Sequence, residues 1–361
     1  MLKNIKSIIA KNQVSRKTKN WLLILIGLSI LLTCSIILSI SVGYLDIPFS
    51  NIIKVFLTNT PGINNFFHFP VSSTETALIL QIRLPRALCA ALVGAALSIA
   101  GAAYQGLFRN PMADPYTIGA SSGAALGATS SVILGLGITI MGISTRPFFA
   151  FIGCLATVLG VYTISRVGNK VPVQTLLLSG IAVSILFGAI VNSYHTLFPE
   201  KFRQTAFWLM GSFSYTEWLD LWSALPFIIG GSIVIYMFAR DLNLLSLGES
   251  EATHLGVDLE KMKKILLVAT AFVTAAAVSI GGLIAFVGLI IPHLTRLIFS
   301  PDHRILMVSS ALMGAIFLVL CDTLSRILIA PTELPVGVIT AVCGGPFFLY
   351  LMRRKKKIDA S

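Results

Sequence analysis

The side chains of this sequence best suited to chemistry are spaced so that they exclude more than they offer. Five histidines, His68, His195, His254, His293 and His303, stand far apart with no i, i+4 pair. A metal centre needs clustered ligands, so these read as loop or interfacial residues. Five cysteines, Cys34, Cys89, Cys154, Cys321 and Cys343, fall one each in different apolar runs with no C-x-x-C. They read as small hydrophobes rather than a disulfide or metal framework. Nucleotide hydrolysis through a phosphate loop needs G-x-x-x-x-G-K-[ST], and the dipeptide Gly-Lys does not occur. Proton coupling needs carboxylates inside the membrane. Only Asp322 comes close, and it precedes Arg326 by four residues in the favourable acid-first order, which a local pair explains. Sodium coupling through backbone carbonyls leaves no such trace.

Two polar stretches remain. The first is QIRLPRAL, with Arg83 and Arg86. Pro85 suits the first turn of a helix, so a span is expected to start there. Cations at a helix N-terminus oppose its dipole and, on the outer face, also oppose the positive-inside rule. An acidic partner is one explanation; snorkelling to lipid phosphates is the other. The second stretch is Arg240 to Lys264, RDLNLLSLGESEATHLGVDLEKMKK. Ser246 or Gly248 can open a short helix through Leu255, closed by Gly256 as the residue after its cap. Asp258 can cap a second helix that runs through Lys261 into an apolar span. Leu244, Leu245, Leu247, Ala252, Leu255 and Val257 give this pair an apolar side, as a docking knob or a surface-lying connector requires. Glu249, Glu251, Asp258 and Glu260 favour a protein partner, because an anionic leaflet repels acids.

The elements that hold these stretches are membrane-spanning. The chain has 361 residues, of which 55% are hydrophobic and 12% charged, with a mean hydropathy of +0.86. A charged fraction half that of soluble domains points to lipid as the main solvent. The fold class is an all-α polytopic membrane protein of about ten transmembrane helices. They are expected near 21–43, 86–108, 115–137, 147–166, 173–197, 218–239, 264–283, 284–299, 306–329 and 336–352. Pro292 makes the eighth a broken or partial span. Continuous rather than alternating apolar runs argue against a β-barrel. With both termini cytoplasmic, 20 of the 27 lysines and arginines fall on inner segments. The net charge of +12 is therefore an orientation signal, not a nucleic-acid footprint.

Residues 1–20 form a basic cytoplasmic leader, 21–352 a single membrane domain and 353–361 a basic tail. The first span is too long for a signal-peptide core and is expected to be retained. The outer loop 44–82, with Phe49, Phe56, Phe66, Phe67 and Phe69, is expected to lie partly on the membrane surface. Small residues crowd the second and third spans, where Gly94 to Ala103 reads GAALSIAGAA and Gly119, Gly123 and Gly127 recur at four-residue steps. They suit close helix packing.

Four stretches then coincide. They are RLPRALCAALVGAALSIAGAAYQGLFRNPMADPYTIGASSGAALGA from Arg83, LNLLSLGESEATHLGVDLEKMKK from Leu242, GGLIAFVGLIIPHLTRLIF from Gly281 and ELPVGVITAVCGGPFFLYLMRR from Glu333. In order and spacing they resemble the permease subunits of binding-protein-dependent ABC importers for iron-siderophores, haem and cobalamin, the FecCD type. The match covers most of residues 80–354. The basic leader is longer than that family needs, and Cys343 stands where a plain small residue would serve.

The resemblance implies a ten-span subunit with no catalysis or bound cofactor of its own, ATP being used by a partner. The implied partners are a second permease copy (a homodimer), two cytoplasmic ATPase subunits and an extracytoplasmic substrate-binding protein, in the plasma or inner membrane of a prokaryote. It assigns ATPase coupling to Gly248, Glu249, Ala252, Leu255 and Gly256. Binding-protein docking falls to Arg83, Arg86 and Arg326, and the translocation path to the fifth and tenth spans, with Asn192 and Tyr194 as candidates. Iron-siderophore is the first expectation for cargo, with haem or cobalamin as the alternative. An autonomous secondary transporter or channel with broken helices around a midplane site is the competing class.

Overall fold

The computed structural model describes residues 2–43, 45, 47–59, 69–136, 139–140, 143–168 and 170–359. Among the described residues it holds 14 helices. In chain order they are α1 (Leu2–Ser41), α2 (Phe49–Asn59), α3 (Ser73–Leu107), α4 (Ala120–Ile133), α5 (Thr145–Ile164), α6 (Val173–Leu197) and α7 (Pro199–Leu209). There follow α8 (Trp218–Met237), α9 (Ala239–Leu245), α10 (Glu249–His254), α11 (Leu259–Gly281), α12 (Val287–Ile298), α13 (His303–Ile327) and α14 (Val336–Asp359). Seven of them, α1, α3, α5, α6, α8, α11 and α13, are long and apolar enough to cross a membrane. The other three expected spans correspond to the shorter α4 and α12 and to α14, whose apolar part, Val336–Tyr350, is short.

The packing places α3, α11 and α13 in the centre. The most apolar stretch of α3 is 78% buried, whereas that of α6 is only 11% buried. Lipid tails offer helices no hydrophobic gain on association, so close backbone contact has to supply the attraction. Paired glycines provide it. A Cβ on Gly94 would meet the Gly314 carbonyl, and one on Gly101 would meet that of Gly288, so α3 touches α13 and α12 through bare backbone. The small-residue run of the second span is thus the central seam.

Two boundaries differ from expectation. The helix carrying Arg83 and Arg86 begins at Ser73, so Pro85 lies inside a 35-residue helix and not in its first turn. A proline inside a helix lacks the N–H its turn requires, and its ring crowds the carbonyl four residues back. Here a π-helical segment, Leu78–Arg83, widens the turn just before it, and the Leu84 N–H reaches back to the Ile79 carbonyl. The two arginines are therefore not helix-terminal, and the dipole argument does not apply to them. The third span is also shorter than 115–137. Its approach is a folded loop in which the Asp114 side chain accepts the Tyr116 N–H at 2.8 Å, and Gly119, at φ 88°, turns the chain into α4.

Part of the outer loop 44–82 is helical. α2 buries Ile52 and Val55 against Ile40 and Ile79, while Phe49 and Phe69 are exposed and Phe56 is half-buried. Phe66 and Phe67 lie outside the described residues. The eighth segment is partial, but Pro292 does not break it and lies inside the 12-residue α12; the break comes earlier, where residues 282–286 leave helical geometry, with Gly282 and Phe286 at φ 70° and 71°.

Candidate functional site

α13 joins two polar regions. At its first residue, His303, it meets the 240–264 segment, and near its last turn it meets Arg86. The rise from His303 to Asp322 is about 28 Å of helix, close to the roughly 30 Å hydrocarbon core of a bilayer. The two regions therefore stand at opposite membrane faces.

At the Asp322 end of α13, which the charge pattern leads one to expect on the outer face, Arg83, Arg86 and Arg326 are all buried. Arg86 forms a forked pair with Asp322, Nη2 to Oδ1 at 2.9 Å and Nε to Oδ2 at 3.0 Å. Its Nη1 donates to Glu333 at 2.9 Å. Glu333 in turn accepts from the Ser214 hydroxyl at 2.6 Å. Arg326 lies 3.5 Å from Asp322 and donates to the Ser39 carbonyl at 2.8 Å. Arg83 donates to the Ile40 carbonyl at 2.6 Å and the Ser41 carbonyl at 3.1 Å, and also to the Leu45 carbonyl. The Ile40 and Ser41 carbonyls belong to the last turn of α1, where a cation suits the helix end, and the Leu45 carbonyl to the loop that follows.

Arg86 thus meets acidic partners, Asp322 and Glu333, inside the chain. The network ties α1, α3, α13 and the loops 210–217 and 328–335 together. Asp322 is shared between Arg86 and Arg326, so the local pair is only half of its environment. Burial alone would raise the Glu333 carboxyl, but the Ser214 hydroxyl and the Arg86 guanidinium hold it below its ordinary value. Glu333 also reaches an outer cavity of about 1080 Å³ rimmed by Arg146, Arg203, Glu217 and Asp220. Neither Glu333 nor Ser214 was singled out from sequence, although Glu333 heads one of the quoted stretches.

At the His303 end of α13, which the charge pattern leads one to expect on the inner face, α9, α10 and the start of α11 form a knob. Gly248 at φ 143° precedes α10 and Gly256 at φ 89° follows it, and the Asp258 side chain caps α11 by accepting the Lys261 N–H at 3.1 Å. Leu242, Leu245, Ala252 and Val257 are buried beneath it. Leu247 and Leu255 instead project into open space, 64% and 59% exposed. Glu249 is exposed at the same surface and pairs with the buried Lys263 at 3.3 Å. Lys263 also reaches Glu260 at 3.5 Å, and Glu260 accepts the Val171 N–H at 3.2 Å just before α6. Asn243 donates to Asp302 at 2.8 Å and accepts the His303 N–H at 2.9 Å. The knob is therefore a rigid platform bonded to the entries of both α6 and α13.

Asn192 and Tyr194 stand apart from both regions, on the outer half of α6, exposed and half-buried respectively. Among the described residues, no group of three His, Cys, Asp or Glu is placed to hold a metal ion.

Residues 14–354 match the family model described as the FecCD transport family. The chain is 43% identical over 334 residues to an uncharacterized ABC transporter permease protein, YvrB, of Bacillus subtilis (strain 168), covering 92% of this chain and 94% of that one. It is 46% identical over 288 residues to the cobalamin import system permease protein BtuC of Halobacterium salinarum, covering 80% and 76%. A solved structure described as an inward-facing conformation of a metal-chelate type ABC transporter superposes with a TM-score of 0.77 at 31% identity, covering 92% of this chain and 99% of that one.

Proposed function

The chain belongs to the FecCD transport family, and from that premise we propose that it is the membrane permease of an ATP-driven importer for a metal chelate. An iron-siderophore is the first assignment for cargo, with cobalamin and haem as the alternatives. The observation that carries this reading is the inner knob. Two exposed leucines and Glu249 are mounted on a base hydrogen-bonded to α6 and α13, a surface suited to receiving a push from a soluble partner and passing it to spanning helices.

In this reading each of two ATPase subunits grips the knob of one permease copy through Glu249 and Leu255, while Gly248, Gly256 and the buried Ala252 shape the knob rather than touch the partner. Leu247 and Leu255 supply apolar anchors, Ala252 packs the knob onto its base, and the two glycines set its angle. The displacement passes through Glu260 and Val171 to α6, whose largely bare face, with Asn192 and Tyr194, borders the path between two permease copies. On the outer face, Arg83, Arg86 and Arg326 serve the substrate-binding protein by holding the 328–335 loop and the end of α1 in place, with the outer cavity as the docking face.

Reconstitution tests the whole reading. The purified chain alone in liposomes is expected to show neither ATP hydrolysis nor chelate uptake, and uptake is expected only with an ATPase, the binding protein and ATP. Chelate uptake by the chain alone would overturn it.

A further inference from the structure

Between α8 and α11, on the outside of the bundle, lies a cavity of about 650 Å³. Lys261, Lys264, Val268 and Phe272 line it from α11, and Phe227 and Val234 from α8. The α11 residues recur at three- and four-residue steps, so a single stripe of that helix faces the groove. Lys261 and Lys264 are exposed at its knob end, and neither makes an ion pair among the described residues. Their neighbour Lys263 turns the other way, to Glu249 and Glu260. The remaining wall is apolar and contains the parallel rings of Phe227 and Phe272, with centroids 6.3 Å apart.

From Lys261 to Phe272 the groove runs about 16 Å along the helix, roughly half the thickness of a hydrocarbon core. It starts at a charged membrane face and runs the depth of one leaflet. α8, which forms its other wall, is mostly exposed along its apolar length and so faces the lipid. We propose that this groove binds one anionic phospholipid, the phosphate resting on Lys261 and Lys264 and an acyl chain lying along Val268 towards Phe272. Cationic pockets between helices at a membrane face suit such headgroups. The site lies within one turn of the cap at Asp258, so an occupied groove would brace the knob against α8. The inference needs only the membrane setting and is independent of the cargo.

Native mass spectrometry of the full-length protein tests it, with phosphatidylglycerol or phosphatidylcholine of identical acyl chains added to separate samples. The native protein is expected to retain one phosphatidylglycerol per chain, preferred by about tenfold or more over phosphatidylcholine. Lys261→Gln with Lys264→Gln should abolish the preference, and these exposed substitutions leave folding, checked by circular dichroism, intact. Glycerol phosphate, a headgroup without chains, should not compete. Equal retention of the two lipids by the native protein, or an unchanged preference in the lysine variant, would overturn the proposal. Full displacement by glycerol phosphate would overturn it too, by assigning the lysines to a soluble anion. So would loss of a dimer in Val268→Trp without any lipid preference in the native chain, which would assign the groove to a second copy.

Discussion

The cluster around Arg86 buries three guanidinium groups among carboxylates and carbonyls of its own chain, whereas the knob at residues 247–256 buries an alanine and sends two leucines into open space. Each inverts what its composition suggests, the charged region facing inward and part of the apolar one outward. A buried charge is tolerable only with its partners in place, so the outer cluster acts as a clasp holding helix ends and loops. An exposed leucine is tolerable anywhere, but two of them beside an acid on a rigid platform make a place for something else to sit. One region holds the molecule together, and the other is the part that the proposed function has an ATPase push.

Breaking the clasp should produce the largest effect. Arg86→Met leaves Asp322 buried with only the more distant Arg326 nearby, and Asp322→Asn leaves Arg86 with Glu333 alone. Each is expected to cost about 3–5 kcal/mol, the scale for stripping one partner from a buried pair, read as a marked drop in thermal unfolding temperature in detergent. Arg86→Met with Asp322→Leu should recover much of the loss. A wild-type Tm in the single variants would show the clasp to be ornamental.

Glu333→Gln should act on the same network far more gently. The carboxylate side chain is 36% exposed, so solvent screening reduces its pair with Arg86 to about 1 kcal/mol or less. The sign with pH follows from its depressed titration. The contribution is present above pH 4.5, the ordinary value, and is lost as pH falls below that through the folded-state value. Acid unfolding curves should therefore show a step near and below pH 4.5 that Glu333→Gln removes; an identical acid profile in the variant would contradict the pairing. The smallest effect is expected at the knob's own ion pairs. Lys263→Met should change stability by about 1 kcal/mol or less, because Glu249 is more than half exposed and Glu260 about one third exposed, so solvent screens both pairs.

The same contrast explains what the sequence made legible. The knob is built from short-range chemistry: Gly248, Gly256 and Asp258 mark the helix ends within a few residues of where they act, and the structure places α10 between the two glycines and starts α11 directly after Asp258. The clasp is built from partners 236 and 247 residues apart, Arg86 with Asp322 and with Glu333. No local pattern links such positions, so Asp322 read as the local partner of Arg326 and Glu333 went unnoticed. Pro85 read as a helix start because a π-helical turn has no sequence signature that announces it. α2 and α7 were missed for a related reason: both are short amphipathic helices inside loops whose charge and proline content resemble irregular chain. The central helices were legible because apolar length alone decides them.

The claim that the knob is the docking surface and the clasp is not can be read in one co-purification. Leu247→Asp with Leu255→Asp changes two exposed side chains and leaves Leu242, Leu245 and Ala252 packed beneath, so the chain should fold and insert normally. Isolated through a tag on the permease, this variant is expected to come out without the ATPase subunit, while Glu333→Gln retains it at wild-type stoichiometry. Recovery of the ATPase at full stoichiometry with the leucine variant would contradict the account.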